Sequence, residues 1–354
     1  MFDEETVNAF SGGFRISEPG IITIFGYPAV SNLKKVISFP VSLQISSLVR
    51  KNTSVVWKGI NSIEIPFHVS KLTNDWFDPL KLMTNIAFQR GWSNAPYILA
   101  DELLSFNQSL GYYSAFIDLV VESFSLVNEV NLSTSELMQI SGEIQDKIKG
   151  THNSYETLAR KQGKEGSLLF YDLESNSYRN EIINLEPYSM FLISENSLDS
   201  NPNFVNFQKS FRKFNQGNMI SKGPNALVFP YVGIRNHLES ERKIFDSAIE
   251  SLEGNDIESF ISSISEYSRS IGYNLGVLSD FQKIIARLLD KYEVKFYMFN
   301  VGEYSGSILI FLDSLSVGKV RDNVVRDYYN ITNRTIRIDE LTVASGSSKE
   351  QIRV

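Results

Sequence analysis

The chain contains no cysteine in 354 residues, which removes disulfides, thiolate nucleophiles and cysteine-ligated metals from consideration. It has only three histidines, His68, His152 and His237, so a multi-histidine metal site is not expected. Basic residues number 34 against 41 acidic ones, a net charge of −7 with no basic block. Counterion release on nucleic acid needs clustered Lys and Arg, and that class of partner is therefore not expected. No apolar run approaches the roughly 20 residues of a membrane span. The start, Met1-Phe2-Asp3-Glu4-Glu5, lacks the basic and apolar regions of a secretion signal. These absences imply an acidic, soluble, cytoplasmic protein with no membrane partner, long enough for two domains that each bury a core.

What is present reads first as strands with turns: Ile21–Phe25 after a Pro19-Gly20 turn, Val36–Leu43, Ser54–Trp57 and Ser62–Phe67. Asp75 is positioned to cap a helix over Trp76–Phe88, and a strand is expected at Ala95–Leu104. A long apolar helix follows over Ser114–Val127; Ser133 with Glu136 forms a capping box for the next, which Gly150 ends. A short helix at Tyr155–Lys161 precedes strands near Ser167–Asp172, Arg179–Ile183 and Met190–Ser194. Residues 195–230 are rich in Asn and Ser and poorly periodic, so a domain junction is placed there. Beyond it come helices over Arg235–Leu252, up to Ile271, and over Asp280–Leu289. Strands Lys295–Asn300 and Ser307–Asp313, a helix Gly318–Tyr328 and a strand Thr335–Ile338 complete the pattern, with Thr342–Val354 expected to be loose.

Three segments carry candidate chemistry. The first is Pro19-Gly20, the β-branched run Ile21–Phe25, and Gly26-Tyr27-Pro28-Ala29-Val30. The second is Ser109-Leu110-Gly111-Tyr112-Tyr113-Ser114-Ala115, a glycine turn opening a helix. Free N–H groups and the helix dipole make such an end an anion site. On its own it is also what an ordinary strand-to-helix turn with core aromatics looks like. The third is Val301-Gly302-Glu303-Tyr304-Ser305-Gly306, between two strands. As a structural feature alone it is a tight turn.

Taken in order, these segments resemble the motifs of the GHMP kinases, the family of galactokinase, homoserine kinase and mevalonate kinase. Galactokinase is nearest in spacing and mevalonate kinase second. The resemblance extends to Val36–Leu43, to His237 with Glu241, and to Glu266-Tyr267-Ser268-Arg269-Ser270-Ile271. It implies two α+β domains: residues 1–195, a mixed β/α nucleotide-binding domain, and residues 196–354, a ferredoxin-like α/β sandwich. It further implies ATP and magnesium as cofactors and a small-molecule hydroxyl as phosphoryl acceptor. Ser109, Leu110, Gly111, Tyr112, Tyr113 and Ser114 would hold the nucleotide phosphates. Counting back from Gly163 puts Glu156 where the family has its catalytic aspartate, a carboxylate that takes or orients the substrate hydroxyl's proton. Tyr27, Gly302, Tyr304 and Gly306 would meet the substrate.

The departures are as informative as the matches. Ile21 stands where the family has a basic residue, leaving Lys34 or Lys35 as the nearest replacement. Tyr112 and Tyr113 replace small serines, and Glu303 adds negative charge beside the expected phosphates. Tyr27, Pro28 and Val30 occupy the sugar-contacting positions of galactokinase, which argues against galactose. Two readings therefore stay open: a kinase of a sugar or mevalonate-like substrate with a rebuilt site, or a catalytically degenerate relative that senses a ligand or binds a partner. The oligomeric state is not legible.

Overall fold

The computed structural model describes residues 2–26, 31, 33–68, 71–149, 154–197, 199–215, 231–301, 305–313 and 315–353. The first half runs α1 (Glu4–Asn8), β1 (Phe14–Phe25), β2 (Lys35–Asn52), β3 (Ser54–Lys58), β4 (Ser62–Pro66), α2 (Asp78–Gln89) and β5 (Ala95–Glu102). Then come α3 (Tyr112–Val127), α4 (Thr134–Lys149), α5 (Ser154–Gln162), β6 (Ser167–Asp172) and β7 (Ser177–Ile182). The second half runs β8 (Tyr188–Glu195), α6 (Pro202–Asn215), α7 (Tyr231–Glu253), α8 (Ile257–Arg269), α9 (Asp280–Lys291), β9 (Phe296–Asn300) and β10 (Ser307–Asp313). It closes with α10 (Val317–Thr332), β11 (Ile336–Leu341) and β12 (Ser348–Gln351).

Among the described residues the strands form two sheets. The larger has the order β12-β1-β2-β5-β3-β4, with β6 and β7 continuing from β2. On the edge away from β1, β2 is long enough to serve two partners: Lys35–Ser38 pair with β6 and Ile45–Asn52 with β5. Pro19-Gly20 is not a turn before a strand, as expected, but a register shift inside continuous β1. Proline has no N–H for the ladder, and a bulge is the place in a strand where that donor is not needed.

The smaller sheet has the order β11-β8-β10-β9, every pair antiparallel. Numbered within the unit that order is 4-1-3-2, and the chain passes through it as βαββαβ. This is the ferredoxin-like arrangement expected for the C-terminal part. Its first strand, β8, lies before residue 196, and the chain's last strand returns to the larger sheet. The expected loose tail is thus corrected: β12 pairs with β1 from Phe14↔Gln351 to Ser17↔Ser348. Its sequence Ser348-Lys349-Glu350-Gln351 has no apolar alternation, because an exposed edge strand needs only backbone pairing.

α3 is the spine of the first unit. Its residues are buried around most of its circumference, with Phe116, Ile117, Leu119, Val120, Val121 and Phe124 fully inside, as a helix covered by neighbours on most sides requires. The two sheets' layers meet where Phe25 at the end of β1 packs on Phe245 of α7 and Tyr267 of α8, ring centroids 5.6 and 4.9 Å away.

One buried carboxyl gives the fold a pH dependence. Burial pushes the Glu18 side chain up to about 7. Lys161 and Arg160 oppose the rise, and Glu122 and Asp118 reinforce it. The unfolded group titrates near 4.5, so between these values the folded chain holds the extra proton. The stability that comes with the proton is complete below the lower value and is lost as pH rises through 7. Relative to Glu18→Gln, whose amide does not titrate, the native chain is expected to lose Tm between about pH 5 and pH 8. Parallel Tm profiles for the two proteins would exclude this.

Candidate active site

The site is built on the N-terminus of α3. Gly111 is its N-cap, in the left-handed conformation at φ 69°, and Ser109 is left-handed as well at φ 54°. Two such residues turn the chain sharply from the loop into the helix, which begins at Tyr112, two residues before the expected start. Leu110 is fully buried, and its carbonyl accepts the Ile21 N–H of β1 at 2.9 Å. On the other side the Gln108 carbonyl accepts the Ser307 hydroxyl at 2.5 Å, and the Asn107 amide donates to the Glu195 carbonyl. Segments nearly 200 residues apart in sequence are thereby stitched to one loop.

The two tyrosines take different places. The Tyr112 ring is buried in the core, stacked 6.4 Å from Phe116 with planes 10° apart, and its hydroxyl donates to Glu102 at 2.5 Å. Burial, then the Glu102 charge and hydrogen bond, raise its pKa far above the ordinary value. Tyr113 is half-buried against the same core, with the Lys149 ammonium 4.2 Å from its ring centre. Tyr112 is therefore part of the packing behind the helix end.

Glu156, in the first turn of α5, is buried and reaches that helix end. Its Oε2 is hydrogen-bonded with the Ser114 hydroxyl, which also lies 2.9 Å from the Gly111 carbonyl. A Cβ placed on Gly111 would stand 2.9 Å from Glu156 Oε2. Glycine at 111 therefore supplies both the left-handed backbone and the room for the carboxylate. The Tyr155 hydroxyl is 3.4 Å from Oε1.

Gly306 also has a positive φ, 76°, and a Cβ there would be 2.6 Å from the Asn300 carbonyl. The described residues flanking it are held from α9: Ser279 donates to the Ser305 carbonyl, and the buried Gln282 amide donates to the Asn300 and Ser307 carbonyls. Gly306 thus leads into β10 beside the α3 loop. Tyr27, Gly302 and Tyr304 lie outside the described residues.

Lys35 is across the sheet from Glu156. Val36 packs with Tyr155 and Leu158 of α5, and the pleat sends its neighbour to the opposite face. There Lys35 lines an open groove of about 510 Å³ with Phe170, Arg179, Phe245 and Glu250. Lys149, at the last turn of α4 beside Tyr113, is a cation near the α3 loop that the sequence reading passed over. A basic residue closing a helix was its only signal.

The residues present fit a phosphate group and its counter-ion in kind. A helix N-terminus offers N–H groups and a positive dipole end, while a carboxylate with a neighbouring hydroxyl is the hard oxygen pair that magnesium accepts alongside phosphate oxygens. No cluster of three or more His, Asp or Glu able to hold a metal occurs among the described residues. Likewise no described helix is long and apolar enough to cross a membrane.

With this geometry, the chain has the two-domain GHMP kinase fold. The solved structures similar to it include Lactococcus lactis galactokinase complexed with galactose, at TM-score 0.77 and 14% identity over 95% of each chain. Methanococcus jannaschii mevalonate kinase superposes at TM-score 0.68 and 13% identity, covering 94% of this chain and 98% of that one. A D-glycero-D-manno-heptose 1-phosphate kinase from Bacteriodes thetaiotaomicron follows at TM-score 0.58 and 10% identity, over 96% of this chain and 100% of that one. No protein-family model and no curated protein matches the sequence.

Proposed function

We propose that this protein is an ATP- and magnesium-dependent kinase of a small-molecule hydroxyl, on a sugar or mevalonate-like acceptor. The observation that carries the reading is the Glu156 carboxylate seated against Gly111 at the start of α3 and hydrogen-bonded with Ser114. Bound ATP–magnesium would supply the phosphoryl group and neutralise its developing charge. Glu156 accepts or orients the acceptor hydroxyl's proton from a buried position. Ser114 and the first-turn N–H groups of α3 orient the phosphates, and Lys149 provides the positive charge that position 21 lacks. The placement of Tyr112 in the core supports the kinase over the degenerate relative, since this ring does not fill the space in front of the helix.

Calorimetry with magnesium ATP, followed by product detection across sugars, sugar phosphates and mevalonate, tests the proposal. Saturable ATP binding with acceptor-dependent ADP release supports it. No binding at millimolar ATP would leave the non-catalytic reading. In a turning-over enzyme, Lys149→Ala is expected to raise KM for ATP about tenfold, the worth of one charge-assisted contact, with a smaller change in kcat. An unchanged KM would remove Lys149 from the site.

A further inference from the structure

α3 and α5 are joined by a ladder of polar contacts rather than by apolar packing alone. On α3, Ser114, Asp118 and Glu122 are spaced four apart and share one face. On α5, Glu156, Thr157, Arg160 and Lys161 face them. Ser114 meets Glu156 at the first rung. At the second, Asp118 accepts three hydrogen bonds: from Arg160 Nε at 2.8 Å, Thr157 at 3.0 Å, and Ser141 of α4 at 2.6 Å. At the third, Lys161 pairs with Glu122 at 2.9 Å and with Glu18 of β1 at 2.8 Å. The C-terminal segment closes the far end: the Ser347 hydroxyl donates to Glu18 at 2.5 Å and its N–H to the Arg160 carbonyl at 2.6 Å. Both Asp118 and Arg160 are fully buried, at 0% exposure.

Ionic groups in such a place are not explained by stability, because apolar side chains of similar volume serve equally well or better. What they add is direction. α5 has only nine residues, and an apolar contact between it and α3 would tolerate sliding or rotation. A carboxylate satisfied by three donors from two helices tolerates one register. Arg160 lies one turn beyond Glu156 and Asp118 one turn beyond Ser114, so the second rung sets the geometry of the first.

We propose that Asp118 and Arg160 are positioning residues that hold the Glu156 carboxylate against the N-terminus of α3. The proposal rests on the reading of Glu156 as the group that handles the acceptor hydroxyl. Its test uses Asp118→Asn and Arg160→Met, with Ser141→Ala and Thr157→Val as milder variants should the first two not fold. Hydrogen exchange on the full chain is the readout that needs no activity. Segments 115–118 and 158–162, whose amides carry the first helical hydrogen bonds of α3 and α5, are expected to lose protection together, by tenfold or more, while β2 and β5 keep theirs. In kinetics, kcat falls ten- to a hundredfold with KM for ATP within twofold. In a Glu156→Asp background the same substitutions add little further, because they act through that side chain. Unchanged exchange at 158–162 in a folded variant overturns the proposal, as does a kcat loss fully additive with Glu156→Asp. A native chain without turnover would defeat the proposed function instead, and the exchange result would still decide the positioning role.

Discussion

Glu156→Gln is expected to lower kcat by about 10²–10⁴-fold while leaving the fold intact. Glutamine matches glutamate in size, so it fills the space that Gly111 leaves and can still accept the Ser114 proton. What it lacks is the charge. Without it, the carboxylate proposed to take the acceptor proton or offset a bound cation is gone, and the first-turn N–H groups would orient a nucleotide that goes unused. ATP binding measured by calorimetry should change little or tighten, since a negative charge facing the phosphates has been removed. Tm should stay within a few degrees of the native value. A variant that folds, binds ATP and turns over at the native rate would take Glu156 out of the chemistry.

The second large effect is on stability. Gly26→Ala is expected to cost about 3 kcal/mol or more, read as a lowered urea midpoint. At φ 74° a side chain is already strained, and its Cβ would sit 1.6 Å from the Lys35 carbonyl oxygen. The atom in the way is backbone of β2, so relief requires parting the β1 end from its partner strand. The Gly26 N–H also donates to the Tyr267 hydroxyl of α8 at 3.1 Å, a bond between the two halves of the molecule. Tyr267→Phe removes that bond without the clash, so the difference between the two variants isolates the steric part. An alanine variant as stable as the native chain would show that the β1–β2 connection can relax around a methyl group.

Local pattern made several elements readable in advance. The apolar helix after Gly111, the Ser133–Glu136 capping box and the helix over Asp280–Leu289 all follow from periodicity and caps. The capping box is realised as Glu136 accepting from the Ser133 N–H at 2.9 Å and its own N–H donating to the Ser133 hydroxyl. The C-terminal strand was not readable: its residues are polar, and its partner β1 is some 330 positions earlier. Pro19-Gly20 was misread as a turn because composition does not distinguish a turn from a bulge.

The site divides in the same way. Glycine placement marked the α3 loop, and counting back from Gly163 against the motif of the resembling family reached Glu156. Whether Tyr112 would block the loop was undecidable from order alone, for its direction depends on Glu102 and Phe116 packing from other elements. Lys149 and the Asp118–Arg160 pair escaped notice because a charged residue on a helix reads as solvated until its neighbours are known.

By itself, then, the amino-acid order determined many of the elements, because caps, glycines and apolar periods act within a few residues, while the class of the fold, two α+β units, came from motifs whose order resembles a known family. Only the tertiary structure decided that Glu156 meets Gly111, that a buried ionic ladder joins α3 to α5, and that the chain's end returns to its first strand. Those contacts are between residues remote in sequence, and their energies come from burial and direction, which no local pattern encodes.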